Sequence, residues 1–212
     1  MIIKSQKAPA RLKYKKRGKG WIEVANKDTV ALTQEQYEEI IRTMRKGGAG
    51  FRPNERIATI LVLEANLGIR LGDILELRPT SIIRDGNRYR LRIREEKTDK
   101  KHPFTVPDEV VDFLTDYCIK NNIGQNDRIF PVTERNVQLF LAKVVDYLGY
   151  PNDIGTHSFR KFFATEILVN NNYNFVLVQK LLQHSSVAIT QRYLGITSKE
   201  MEDALNNHVK LV

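Results

Sequence analysis

Cysteine is all but missing from this 212-residue chain, and the one present, Cys118, excludes an internal disulfide and a thiolate metal cage. Histidine is scarce, and His102, His157, His184 and His208 lie too far apart to mark a zinc site by spacing. No apolar run approaches the roughly 18 residues that a membrane span needs, and the N-terminus shows no apolar leader core. The expectation is a chain of the reducing cytoplasm with no membrane partner. A phosphate-cradling glycine loop is absent too, and no carboxylate cluster suits two-metal catalysis. Hence neither nucleotide nor metal nor other cofactor is expected.

Acidic residues are outnumbered, 25 Asp and Glu against 34 Lys and Arg, for a formal charge of +9. Lys4, Lys7, Arg11, Lys13, Lys15, Lys16, Arg17, Lys19 and Lys27 crowd into residues 1–28 with only Glu23 and Asp28 to offset them. That arm therefore holds +7 of the total, which points to a polyanionic partner, or equally to a solvated leader. At roughly 150 residues per domain, one domain with attachments is expected.

Hydrophobic spacing divides the rest. Thr33-Gln34-Glu35-Gln36 reads as a capping box opening a helix to about Arg45, closed by Gly47-Gly48. A second helix runs from near Asn54 to Leu67, with Ile57, Ile60, Leu61 and Glu64-Ala65 on one buried face and Gly68 as its stop. A short helix covers Leu71 to Leu77, before Pro79. Tyr89, Leu91 and Ile93 then alternate with Arg88, Arg90, Arg92 and Arg94, a strand with one apolar and one basic face. Asp85-Gly86-Asn87 turns the chain into it, residues 96–101 form a loop, and Phe104 to Val106 follow as a strand between prolines. Helices are expected over residues 108–121, 134–148, 157–170, 174–182, 187–194 and 198–207, with Thr133 and Thr156 as N-caps. The fold class is α+β, mostly helical, with a small antiparallel sheet near residues 82–107.

Three segments carry polar residues that packing does not require. Arg70 follows the helix stop in Gly68-Ile-Arg70-Leu-Gly-Asp73, where a cation could simply neutralise a helix end. His157 and Arg160 share a helix face at i and i+3. His184 and Tyr193 close the pattern, although a buried tyrosine usually means packing. Together they form a cationic cluster able to grip a phosphodiester, since the guanidinium fork donates paired hydrogen bonds and stays charged.

The segments Thr156-His-Ser-Phe-Arg-Lys-Phe-Phe-Ala-Thr and Leu181-Leu-Gln-His-Ser-Ser-Val-Ala-Ile-Thr-Gln-Arg-Tyr193 closely resemble the tyrosine recombinase (phage integrase) family. Asn66-Leu-Gly-Ile-Arg70-Leu-Gly-Asp-Ile-Leu-Glu-Leu is similar to its first arginine motif, and Lys97-Thr98 to its hairpin lysine. The resemblance runs from about Thr33 to the C-terminus and implies a site-specific recombinase that breaks and rejoins duplex DNA without metal or ATP. Tyr193 would be the nucleophile of a 3′-phosphotyrosyl intermediate, Arg70 and Arg160 would hold the nonbridging oxygens, and Lys97 would protonate the leaving 5′-oxygen. His157 would serve as acid–base partner, His184 as a hydrogen-bond donor to the phosphate, and Asp73 would orient Arg70. Arg88, Arg90, Arg92, Arg94 and Lys161 would contact DNA.

The resemblance also implies a bacterial or phage-encoded protein of a mobile element, nucleoid-associated, working as a homo-oligomer, a tetrameric synapse, with accessory DNA-bending proteins. Two departures stand out: Lys161 replaces a common histidine, and Gln183 replaces the glycine before the late histidine. Residues 29–212 would be the catalytic domain and 198–207 a helix able to dock on a neighbour. Only the 28-residue basic arm or linker precedes it, with no core-binding domain in this chain. Two other classes remain open, a type IB topoisomerase using the same groups and a non-recombining DNA-binding accessory module of the same fold.

Overall fold

In the computed structural model, the described residues are 15–17, 20–22, 29–94 and 101–195, with side chains described over 29–92 and 105–195. Within the basic arm, β1 (Lys15–Arg17) and β2 (Gly20–Ile22) pair antiparallel, where the sequence suggested only an arm or linker. Trp21 and Ile22 are strong strand formers.

The capping box at Thr33 is present: Gln36 N–H donates to Thr33 Oγ1 at 3.2 Å and Thr33 N–H to Gln36 Oε1 at 3.0 Å. It opens α1 (Gln34–Lys46), whose inward stripe is Ile40, Ile41 and Met44. The side chain of Asn54 caps α2 (Glu55–Leu67) by accepting from Ile57 N–H at 3.1 Å. Nine of its thirteen residues are buried, so α2 is the axis around which the domain packs. Gly68 ends it in the left-handed conformation at φ +61°. An ideal Cβ there would lie 2.2 Å from the Phe163 ring, so glycine answers both the backbone angle and the close approach.

Helix α3 (Leu71–Leu75) stops two residues before the expected Leu77. A 3₁₀ turn at Pro79–Ser81 then leads into the sheet, ordered β3 (Ile82–Asp85), β4 (Arg88–Arg94), β5 (Lys101–Val106) and wholly antiparallel. Strand β5 begins three residues before the expected Phe104 and carries Pro103 opposite Arg92. Because β5 lies at the sheet edge, a missing donor there can face away from the ladder. Leu91 and Val106 turn inward to the core, as the alternation required.

The remaining helices are α4 (Asp108–Lys120), α5 (Glu134–Tyr147), α6 (Thr156–Asn170), α7 (Phe175–Leu182) and α8 (Val187–Leu194). Thr133 caps α5 as expected. At α6 the cap is Gly155 rather than Thr156: Gly155 N–H donates to Ser158 Oγ at 3.1 Å, and Thr156 is the first helical residue, buried. Burial and the Ser158 hydroxyl together shift that start by one residue. The helix expected over 198–207 lies outside the described residues.

Hydrophobic packing falls into two clusters. The larger gathers α1 to α6 and the sheet around α2. The smaller comprises Phe163, Ala164, Leu168, Val178 and Leu182, with Phe175, Leu181, Tyr193 and Leu194 packed against it. Helix α6 belongs to both.

Candidate active site

The αL stop at Gly68 turns the chain so that Arg70, extended at φ −72°, ψ 149°, stands as the N-cap of α3. Arg70 is exposed while Ile69 and Leu71 on either side are buried, so apolar anchors fix the backbone of a solvent-facing cation. Asp73 follows in the first turn of α3, half-buried.

Helix α6 crosses α2 and brings Arg160 to the same place. Arg160 is only 4% exposed, and its Nη2 donates to the Leu182 carbonyl at 2.8 Å. One arm of the fork thus grips the last turn of α7 and satisfies a helix-end acceptor. Gly68, Ile69, Arg70, Asp73, Arg160, Leu181, Leu182 and Gln183 line a narrow cleft where these elements meet.

His157, one turn before Arg160, has its imidazole pKa lowered by burial and then by Arg160, Lys161 and Arg70, with Glu134 opposing. It is therefore neutral at pH 7 and able to accept a proton. His184 follows the C-cap of α7, its pKa lowered to about 4 by burial and then by Arg160 and Arg70. Its Nδ1 lies 3.0 Å from the hydroxyl of the fully buried Thr190, which fixes the ring plane. Gln179 Nε2 donates to the His184 carbonyl at 3.0 Å.

Tyr193, on the last turn of α8, completes the group. Its hydroxyl donates to the His157 carbonyl at 3.5 Å, and its ring meets the His184 ring edge-to-face with centroids 5.3 Å apart. Burial pushes its phenol up to about 12, against the downward pull of Arg160 and Arg70. Lys161 Nζ stands 5.4 Å from the Tyr193 ring centroid while donating to the Thr29 carbonyl at 2.6 Å, so its reach is toward the tyrosine ring. Among the described residues no cluster of His, Cys, Asp or Glu could hold a metal ion.

Five sequence-selected positions, Arg70, His157, Arg160, His184 and Tyr193, thus converge, and Asp73 joins them through its field on Arg160. Lys97 lies outside the described residues. The basic strand stands apart on the sheet: Arg88 and Arg92 are exposed, Arg90 is paired with Asp85 at 2.7 Å, and the side chain of Arg94 lies outside the described part. Sequence reasoning singled out neither Thr190 nor Glu64 as a site residue. Thr190 carries no signal in its spacing. Glu64 does, because it is a carboxyl on the apolar face of α2, fully buried and with its pKa raised well above the carboxylate range by burial.

Comparison with known proteins bears on this arrangement. Residues 31–200 match the model of the phage integrase family. The chain is 35% identical over 83 residues to tyrosine recombinase XerC of Halalkalibacterium halodurans, covering 39% of this chain and 27% of that one. Its fold is similar to the XerH site-specific recombinase bound to difH in a post-cleavage complex, with a TM-score of 0.63 and 19% identity, covering 84% of this chain and 53% of that one. It is also similar to the catalytic domain of bacteriophage HP1 integrase, with a TM-score of 0.58 and 18% identity over 85% of this chain and 95% of that one. The chain therefore spans less than two thirds of the XerC and XerH chains, but nearly all of an isolated catalytic domain.

Proposed function

The chain belongs to the phage integrase family, and on that footing we propose that it is a tyrosine recombinase that cuts and rejoins duplex DNA through a 3′-phosphotyrosyl intermediate. The observation that carries this reading is the meeting of Tyr193 with two arginines and two neutral imidazoles at the junction of α2, α6, α7 and α8.

A phenol near pKa 12 is almost wholly protonated at pH 7, so it attacks only if its proton leaves as the bond to phosphorus forms. Neutral His157 is the acceptor within the site. Arg160 and Arg70 hold the nonbridging oxygens and meet the extra charge of the five-coordinate transition state. Arg160 suits this because the Leu182 carbonyl fixes one nitrogen of a fork that also hydrogen-bonds the Tyr193 side chain, which holds guanidinium and nucleophile together at the phosphate. The hydrogen bond between Thr190 Oγ1 and His184 Nδ1 occupies one ring nitrogen and leaves Nε2 as the one available to the phosphate.

Lys97 protonates the departing 5′-oxygen, and the covalent link conserves the phosphodiester energy for rejoining. Asp73 steadies Arg70, while Arg88, Arg92, Arg94 and Lys161 add phosphate contacts, with Arg90 shared with Asp85. Affinity for DNA then falls steeply with salt. The acting form is a homo-oligomer on DNA, working in the cytoplasm on a mobile element.

Covalent trapping tests the proposal. The chain is incubated with nicked suicide duplexes from a candidate attachment site, without metal or ATP, and resolved on a denaturing gel. A protein–DNA adduct is expected, absent from Tyr193→Phe. Tight DNA binding without an adduct would overturn the reading in favour of a binding module. Strand exchange between two such duplexes separates a recombinase from a topoisomerase.

A further inference from the structure

Among the described residues of the site, Glu64 is the buried ionisable group that this mechanism leaves idle. It sits on the inner face of α2 at 0% exposure, and neither carboxyl oxygen has a hydrogen-bond partner among the described residues. A bare carboxylate in such a place costs far more than a carboxylic acid. Two groups act on it: Arg160 on α6, which favours its charge, and Glu134 at the start of α5, which opposes it. Tyr193 on α8 feels it in turn, since a charged Glu64 disfavours the phenolate. Arg70 at the N-cap of α3 and Asp73 in its first turn act on the same Arg160. From α1, Tyr37 reaches the next turn of α2 through a hydrogen bond from Asn66.

We infer that Glu64 is a positioning residue: its uncharged carboxyl backs Arg160 and leaves the whole guanidinium charge to the phosphate, and its ionisation withdraws that charge. The inference rests on the phosphoryl-transfer reading above. Ionisation releases the Glu64 proton to solvent and forms no new bond. The resulting anion offsets Arg160, so the transition state loses part of its counter-charge, and it also makes the Tyr193 proton harder to remove. Both effects slow cleavage in the same direction.

The sign for stability runs with the raised pKa. The buried acid contributes stability at pH values below its unfolded value, and that contribution is lost as pH rises through the folded value. The test uses wild type, Glu64→Gln and Glu64→Leu, the last being an apolar replacement in case the buried amide impairs folding. Single-turnover cleavage of the nicked suicide duplex is followed across pH at saturating protein, alongside thermal melting of each chain.

The ratio of variant to wild-type rate is expected to climb about tenfold as pH passes through the Glu64 ionisation and then to level off at the residual rate of the ionised form, because every other titration cancels in the ratio. The melting temperature of Glu64→Gln should rise relative to wild type as pH climbs from the unfolded ionisation toward the folded one, and level off above it. A flat rate ratio overturns the inference, whether or not the melting difference moves. Adduct missing from all three chains overturns the phosphoryl-transfer reading and this role with it. The melting arm keeps that failure distinct, because it follows the Glu64 proton without any DNA.

Discussion

Arg160 and Tyr193 face each other across a division in the hydrophobic interior. Arg160 lies on α6 between Phe159 and Phe162, both members of the large cluster around α2, where Ile60, Leu61 and Leu63 are fully buried. Tyr193 leans on the small cluster of Phe163, Ala164, Leu168, Val178 and Leu182. Buried apolar area scales with stabilisation at about 25 cal/mol per Å², so the half built on the large cluster is the better anchored. The two eight-residue helices α7 and α8 form the part of the site that can open at lower cost. On the proposed mechanism a receptor for phosphate must be preorganised, whereas a nucleophile that becomes covalently linked and is then released must come and go. The split core suits both demands on one chain.

Among the contacts that connect the halves are the Arg160 hydrogen bond to the Leu182 carbonyl and the Phe163 ring against Gly68. Each can be broken separately. The largest effect should come from truncating the two clusters in turn. Ile60→Ala and Leu182→Ala should each cost about 2–5 kcal/mol in urea denaturation. Amide exchange would then distinguish them: Ile60→Ala should loosen the whole domain, and Leu182→Ala chiefly α7 and α8. Equal loosening of α2 in both would break the comparison.

Gly68→Ala strikes the joint itself. Left-handed strain and the Phe163 collision should together cost about 2–4 kcal/mol. Because Arg70 lies two residues on, cleavage should drop on the order of 10²-fold in molecules that remain folded. Gln183→Gly should act in the opposite direction. Gln183 caps α7 at φ +55°, so glycine there should add about 1 kcal/mol of stability, read from the denaturation midpoint.

The smallest expected effect is on pH dependence. His184 is held neutral with its pKa near 4, below an ordinary imidazole at 6.5. The unfolded chain therefore binds the extra proton first, and stability is lost as pH falls from 6.5 toward 4. In His184→Gln the decline in melting temperature over that window should be shallower. An unchanged slope would mean that the imidazole titrates freely.

Legibility in the sequence followed the same division. Thr33, Asn54 and Gly68 announced the frame of α1 and α2, because caps and stops are local chemistry. The alternation around Leu91 announced β4 for the same reason. The one-residue error at Thr156 arose because burial competes with capping for a threonine, and only packing decides between them. Pro103 within β5 was unreadable without knowing that β5 is an edge. In the site, the five residues of the motifs were recognised as a set, yet nothing local told that Arg160 would be buried and tied to Leu182. Thr190 and Glu64 depend on how α8 and α2 are laid against α6, a tertiary fact.

The most direct measurement is peptide mapping of the trapped adduct by mass spectrometry. The account predicts a single nucleotide-bearing peptide with the 3′-phosphate on the Tyr193 oxygen. A phosphate on any other side chain, such as His157 or another tyrosine, would contradict it.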